Sequence, residues 1–154
     1  MTLAEARAND DAQKIEQLEG AALNLPQVDC SEEHFFAPGL YIRQITIPAG
    51  VLVVGHEHKT EHVNIMLKGR VTIATAEGVA TLVAPMTFIA PPGRKVAIAH
   101  DETVWQNVHA TEERDLAKIE DAFIRKSETW QAHNEAAALV DKLREHALSD
   151  RGVP

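Results

Sequence analysis

The chain has 154 residues, of which 45% are apolar and 25% are charged, and its formal net charge is -8 at pH 7. This length suits one domain with a continuous core, and no apolar run approaches the roughly 20 residues of a membrane-spanning helix. The negative charge and an aromatic content of 5% argue against nucleic acid as a partner, because such binding depends on cationic contacts and stacking surfaces. The amino terminus lacks the features of a secretory signal and Cys30 has no partner for an internal disulfide, so we expect a cytoplasmic protein.

The first segment, residues 1–39, is predicted to contain a helix and a covering loop. Apolar residues between positions 2 and 19 have helical spacing, with an interruption expected near Asn9. Residues 20–38 have no stable period and contain two prolines, so we expect loop and short extended pieces that cover one end of the following domain.

Residues 40–110 change to short β-branched runs separated by turn residues, which is typical of an all-β domain. Roughly eight short strands suit a closed barrel or jelly roll better than an open sheet, which would expose two edges. The strands are expected at LYIRQITI, VLVVG, HVNIML, RVTIAT, VATLVA, MTFIA, KVAIAH and TVWQNVH.

Residues 111–154 return to a helical pattern and form a predicted C-terminal helical extension. Thr111 is expected to cap a helix with Leu116 and Ile119 on its apolar face, and Ser127 is expected to cap a second helix. These helices should pack on the barrel or on a second subunit. Barrel edges and an apolar outer face are often covered by another copy of the chain, so we expect a homodimer.

Three histidines, His56, His58 and His62, lie within seven positions of the segment VGHEHKTEH. On a strand His56 and His58 point to the same side, because side chains alternate with period two. A turn near Lys59 would let His62 enter the same interior from the next strand. Neutral imidazoles are good ligands for Fe, Zn, Ni or Mn, and three of them leave coordination positions open for water or substrate. The pattern therefore predicts a mononuclear divalent metal site.

The spacing around these histidines resembles the first cupin motif. Gly50, five residues, the run HEH at 56–58, three residues, His62, six residues and Gly69 match that motif, with His62 in the place of its glutamate. The resemblance covers about residues 40–109, and it implies an RmlC-like double-stranded β-helix, a jelly-roll barrel, with a metal at its centre. The run HKTEHVNIMLKGR is also similar to small, largely uncharacterised cupin proteins of phage and prophage genomes, a likeness that implies no activity.

The second cupin motif is matched only in part, by residues 91–93. Val96 stands where that motif has its metal-binding histidine, and His100 stands where it has an asparagine. Strand parity puts His100 on the same face as Val96, so we include His100 as a fourth candidate metal ligand. An interior hydrogen-bond donor or a loop residue are the alternatives for His100.

Further residues are predicted to line the barrel interior. Asn64 and Met66 share the inward parity of His62, which makes them candidates for binding a cofactor or ligand, with simple filling of the barrel as the alternative. His109 on the last strand could line the same pocket, although we expect it to pack in the core.

Two functions are consistent with these features. One is a metalloenzyme that uses the metal as a Lewis acid or oxygen activator on a small organic molecule, and the likeness to three-histidine cupin dioxygenases implies that such chemistry is available. The other is a non-catalytic cupin with a structural metal or a small-ligand-binding role. No general base is evident, so the pattern identifies no catalytic residue and leaves open whether the protein is an enzyme.

Overall fold

The computed structural model describes residues 1–75 and 78–149, except for the side chain of Thr75. It confirms a mainly β architecture with an N-terminal helix and C-terminal helices. In chain order the elements are α1 (Leu3–Leu23), β1 (Ser31–Ala37), β2 (Leu40–Ile47), β3 (Leu52–Val54), β4 (Glu57–His58), β5 (His62–Lys68), β6 (Arg70–Thr75), β7 (Gly78–Val83), β8 (Met86–Ala90), β9 (Val96–Ala99), β10 (Thr103–Ala110), α2 (Leu116–Phe123), β11 (Ile124–Arg125) and α3 (Glu128–Ser149).

Two antiparallel sheets make up the β domain. One has the order β1-β2-β10-β5-β8 and the other the order β3-β9-β6-β7, while β4 and β11 form a separate two-stranded pair. The chain crosses between the two large sheets, so that several neighbouring strands, such as β2 and β10 or β5 and β8, are distant in sequence. This strand order is that of a jelly roll, as the sequence predicts.

The hydrophobic core lies between the two sheets. A single cluster of buried side chains joins them, formed by Ile47, Met66, Val71, Ile73, Ala97, Ala99 and Trp105. Complete burial of one large apolar side chain stabilises a domain by about 1.5–3 kcal/mol, so this cluster is enough to hold the sheets face to face.

Strand β9 presents the opposite face from the one predicted. Ala97 and Ala99 are 6% and 1% exposed and lie in the core, whereas Ile98 is 47% exposed. Small inward side chains fit between bulky ones such as Trp105, as is usual in narrow barrels. Lys95 and Ala97 therefore share the inward face, and His100 has the outward parity.

The amino-terminal segment differs from its prediction in two ways. Helix α1 is continuous over Leu3–Leu23, with a capping box at Thr2, and the expected interruption near Asn9 is absent from it. Strand β1 pairs with β2 along its whole length, so the sheet already begins at Ser31, within the segment predicted to contain loop and short extended pieces.

A buried ion pair fastens the helices to the barrel. Glu19 of α1 is 3% exposed and pairs with Arg94, and it also accepts a hydrogen bond from Ser127 Oγ. Arg94 in turn donates from Nε to the carbonyl oxygen of Gly55 at 2.8 Å. Ser127 caps α3 as predicted, because its Oγ accepts from the Trp130 backbone N–H at 3.0 Å.

The C-terminal extension closes one end of the barrel. Asp115, and not Thr111, caps α2, because its side chain accepts from the backbone N–H groups of Ala117 and Lys118. Strand β11 then pairs with β4, opposite His58, so α2 and β11 are held over the barrel mouth. Residues 150–154 of the predicted extension lie outside the described residues.

Across the described part of the chain, none of the helices has the length and apolar character needed to cross a membrane. The cytoplasmic location stays a prediction.

Candidate functional site: a barrel cavity with histidines and a lysine

A cavity of about 400 Å³ lies at the end of the barrel that α2 and β11 cover. Its floor meets the core at Trp105 and Ala97, and its roof comes from Phe123 and Ile124. This volume suits a small organic molecule. The polar groups on its wall belong to Glu32, His34, Tyr41, Arg43, His56, His58, Asn64, Lys95, Asn107, His109 and Glu120.

Three imidazole rings meet beside this cavity, and we call His58, His62 and His109 the histidine cluster. The rings of His58 and His62 are stacked, with centroids 3.9 Å apart and an interplanar angle of 11°. The His109 ring lies 6.0 Å from His58 and 5.8 Å from His62, and it stacks on Phe123 at 4.5 Å. The cluster combines a short strand, β4, with two neighbouring sheet strands, β5 and β10.

The hydrogen bonds of His62 define its tautomer. Its Nδ1 lies 3.0 Å from the carbonyl oxygen of Thr60, which can only accept, so Nδ1 carries the hydrogen. The lone pair is then on Nε2, and the ammonium group of Lys95 lies 3.2 Å from that atom. Lys95 therefore donates to His62.

Lys95 carries a positive charge without an acidic partner. Burial lowers the pKa of Lys95 to about 8, so most of the side chain is still charged at pH 7. Within residues 1–75 and 78–149, no carboxylate forms an ion pair with it. The carboxylates of the cavity wall, Glu32 and Glu120, are 41% and 55% exposed and pair with Arg43 and Lys126.

Four histidines in and beside the cavity, His56, His58, His62 and His109, have lowered pKa values, which favours their neutral form. Burial, together with the neighbouring His62 and Lys95, lowers the pKa of His58 to about 3. Burial and the neighbouring His62 lower the pKa of His109 to about 4. Burial also lowers the pKa of His62 and that of His56. The positive charge in contact with the histidine cluster is that of Lys95.

His56 lines the cavity but packs apart from the cluster. Its ring meets the edge of Trp130, with centroids 5.0 Å apart and an interplanar angle of 89°. The Nδ1 atoms of His56 and His58 are buried and lack a hydrogen-bond partner among the described residues. An unpaired buried polar atom costs about 1–3 kcal/mol, which makes these two atoms candidate contacts for a bound species.

The structure does not bring His100 to the cluster. Strand β9 ends at Ala99, and the exposed His100 side chain hydrogen-bonds through Nε2 with Thr72 Oγ1 at 2.7 Å. Val96, Ile98 and His100 share the outward parity of β9, where Ile98 and His100 are exposed and Val96 is buried.

Asn64 and Met66 point inward as predicted, with different surroundings. Asn64 lines the cavity, and its Oδ1 accepts from Trp105 Nε1 at 3.0 Å and from Asn107 Nδ2 at 2.7 Å. Asn64 thus orients Asn107 toward the cavity. Met66 is completely buried in the hydrophobic core and fills the barrel.

The histidines of the cavity are arranged differently from the predicted metal site. Over residues 1–75 and 78–149, no group of three or more His, Cys, Asp or Glu side chains is placed to hold a metal ion. At His62, the Lys95 ammonium donates to the Nε2 lone pair that a metal ion would need. As arranged, these residues do not fit a metal ion.

Sequence reasoning missed Lys95 and underestimated His109. Alternate residues of the run KVAIAH form two faces, and either face could point into the barrel. The more apolar face, with Val96 and Ile98, is the one expected inside from the sequence. In the structure the inward residues are Lys95 and two alanines. His109 lies on the same side of its strand as Trp105 and Asn107, and all three line the cavity. This alternation could have indicated from the sequence that His109 lies on the cavity wall.

The chain is similar to solved structures with low sequence identity. A cupin superfamily protein of Desulfitobacterium hafniense is 10% identical, with a TM-score of 0.47, over 60% of this chain and 87% of that one. A Klebsiella pneumoniae protein with a double-stranded β-helix domain is 15% identical, with a TM-score of 0.47, over 59% and 80% of the two chains. A cupin domain of Bordetella pertussis is 16% identical, with a TM-score of 0.44, over 57% and 99%.

No family model matches the chain, and no curated protein matches it. Cupins are among the structures that the chain is similar to. The likeness to phage and prophage proteins stays a prediction.

Proposed function

We propose that this chain is a cupin-type protein that binds a small organic molecule inside its barrel. The observation that carries the proposal is the meeting of His58, His109 and the Lys95 ammonium with an apolar wall in one cavity of about 400 Å³. Small-molecule sites usually combine an apolar lining with a few converging polar groups, in cavities of this size.

Different parts of the wall would have different roles in binding. A neutral imidazole donates one hydrogen bond and accepts another, so His58 and His109 suit the polar groups of a ligand. Ile119 and Phe123 of α2 cover the cavity, which reduces contact with water and strengthens the polar interactions inside.

A thermal-shift screen of small carboxylates, amides, alcohols and sugars tests this proposal. A ligand that binds only the folded state adds about 2.7 kcal/mol at a hundred times its Kd. For a domain of this size we expect Tm to rise by roughly 5–10 °C. The shift should be lost in His109→Leu protein that keeps its native circular dichroism. If no compound raises Tm, the proposal is wrong.

A divalent metal ion, Fe, Zn, Ni or Mn, is a second occupant that we propose for the same cavity. The unpaired Nδ1 atoms of His56 and His58 support it, as does the tautomer of His62, whose lone pair is on Nε2. These three imidazoles would hold one ion only if Lys95 moved away from His62, if His58 and His62 left their stacked arrangement, and if His56 came closer to both. The ion would supply Lewis-acid or dioxygen chemistry, including that of a dioxygenase.

The metal proposal predicts about one equivalent of ion per chain in protein purified without chelators or added metal. His58→Ala should lose most of that metal and remain folded, because a domain of about 150 residues has enough core of its own. His100→Ala is the matched control and should keep the metal, since His100 is exposed and bonded to Thr72. Full metal content in His58→Ala by elemental analysis would remove His58 as a ligand.

We also propose a homodimer that forms through the outer face of the five-stranded sheet. One apolar row crosses all five strands through directly paired residues, Phe35, Ile42, Val108, Val63 and Ile89. Strands about 4.8 Å apart and about seven residues long give this face an area of roughly 550 Å². That area is close to the lower limit for a specific interface, about 600 Å² per partner. A two-fold axis would place the row against itself, so a second copy is the occupant we propose.

Light scattering of Val63→Glu protein tests this interface. We expect the wild-type chain to have twice its monomer mass and the variant to be monomeric, because a carboxylate in an apolar contact must lose its hydration. Val83→Glu is the control on the other large sheet, where Val83 is 59% exposed, and should leave the dimer intact. A wild-type monomer at every concentration would contradict the proposal.

A further inference from the structure

We infer that the ligand of this cavity is an organic anion, a carboxylate, and that Lys95 is the residue that recognises it. The inference rests on the proposed function, since it names the chemical class of the ligand bound in the same cavity. It is carried by the unpaired charge of Lys95, by the position of its ammonium group and by the apolar side chains of the same cavity.

The positive charge of Lys95 has no negative partner among the described residues. Lys95 reaches an interior where the described chain supplies no carboxylate to it, and the other wall cation, Arg43, is already paired with Glu32. A cation that is partly removed from water without a counterion reduces stability. A bound carboxylate would supply the missing charge and gain a charge-assisted hydrogen bond.

The geometry leaves Lys95 with donors to spare. An ammonium group has three N–H donors, and one of them points to Nε2 of His62 at 3.2 Å. Because the Thr60 carbonyl fixes the His62 ring, this contact holds the ammonium in one place. His62 is therefore a positioning residue, and the remaining two donors are available to the two oxygens of a carboxylate.

The surroundings indicate what the rest of the anion is. The cavity wall that includes Lys95 also has the apolar side chains Ile45, Val53 and Ala97, and the roof adds the Phe123 ring. An apolar body would be buried against these side chains while its acid group met Lys95. Aliphatic or aromatic monocarboxylates combine an apolar body with an acid group in this way.

The same contact bears on the metal proposal. A metal ion at His62 needs the lone pair that Lys95 uses, and a dication would lie against the ammonium charge. In this barrel Lys95 therefore supplies the positive charge that attracts an anionic ligand, a role that a metal ion would otherwise have.

Isothermal titration calorimetry with matched acid and amide pairs tests the inference. The probes are acetate, hexanoate and benzoate, each paired with its amide, which has a similar shape and no charge. We expect the wild-type protein to bind its best acid at least about tenfold more tightly than the matching amide. Lys95→Met should reduce that preference to about twofold or less, and it should fold, because replacing an unpaired buried charge with an apolar chain is neutral or stabilising. Lys68→Met is the control, since Lys68 pairs with Glu102 on the surface, and should keep the preference.

The possible outcomes separate this inference from the proposed function. Equal binding of acids and amides would leave a small-molecule site in place and overturn the anion inference. An acid preference that persists in Lys95→Met would show that another group recognises the charge, which also overturns it. Absence of binding by all six probes, together with a thermal-shift screen without hits, would remove both.

Discussion

A Gly69→Ala variant is expected to lose about 3–5 kcal/mol of unfolding free energy, the combined cost of backbone strain and overpacking. Gly69 has φ +98°, where residues with a side chain are strained, and it joins β5 to β6. An added Cβ would lie 2.7 Å from the Glu102 carbonyl oxygen and 2.8 Å from Thr103 Cα, and it would also meet Thr103 Oγ1. These are backbone atoms and a buried side chain, so they cannot move aside at low cost.

Gly50→Ala provides the matched control for this effect. Gly50 also has a positive φ, +80°, but a Cβ there would meet no atom within 4 Å. Gly50→Ala should therefore lower the unfolding free energy only by the backbone strain, about 1–2 kcal/mol. Thermal unfolding should then show a fall in Tm of about 10 °C for Gly69→Ala and about 3 °C for Gly50→Ala. Equal losses would mean that the turn at Gly69 is not packed as described.

Glu19→Ala is expected to destabilise the protein by about 3–5 kcal/mol, because it leaves the Arg94 guanidinium buried without its partner. The side chains of Arg94 and Glu19 are 14% and 4% exposed, so water cannot replace the carboxylate. The same carboxylate accepts from Ser127 at the start of α3. Its loss should therefore loosen α1 and the start of α3 together, which hydrogen exchange would detect as faster exchange in both helices.

Glu16→Ala is the control on the same helix. Glu16 accepts from Thr129 Oγ1 at 2.9 Å in an exposed position, so its removal should cost about 0.5 kcal/mol or less. In a double variant, Glu19→Leu with Arg94→Met, much of the stability should return, because no unpaired charge remains. Chemical denaturation that gave the same loss of unfolding free energy for Glu19→Ala and Glu16→Ala would contradict the role of the buried Glu19–Arg94 ion pair.

The local pattern predicted much of the barrel. Strands such as Leu40–Ile47 and Met86–Ala90 agree with the structure at both ends, because alternating side chains and flanking turns are local signals. The glycines of the first motif, Gly50 and Gly69, both have a positive φ. Their positions in the motif are therefore set by turns that favour glycine. The same local reasoning expects His58 and His62 to lie close together, and their ring centroids are 3.9 Å apart.

Contacts between distant segments could not be predicted in this way. Glu19 and Arg94 are 75 positions apart, and the pairing of β4 with β11 depends on where α2 ends. The inward face of β9 is decided by the space left beside Trp105, which favours alanines over Ile98. That choice turns His100 outward and Lys95 inward, and it changes the predicted chemistry of the cavity.

The central claim is that the histidine cluster and Lys95 form a ligand site inside the barrel. Its most direct test is an imidazole ¹H–¹⁵N NMR titration of histidine-labelled protein with hexanoate. The account predicts that the signals of His58, His62 and His109 shift on binding, while those of the exposed His100 and His146 stay in place. Shifts confined to the surface histidines, or identical shifts in Lys95→Met protein, would contradict it.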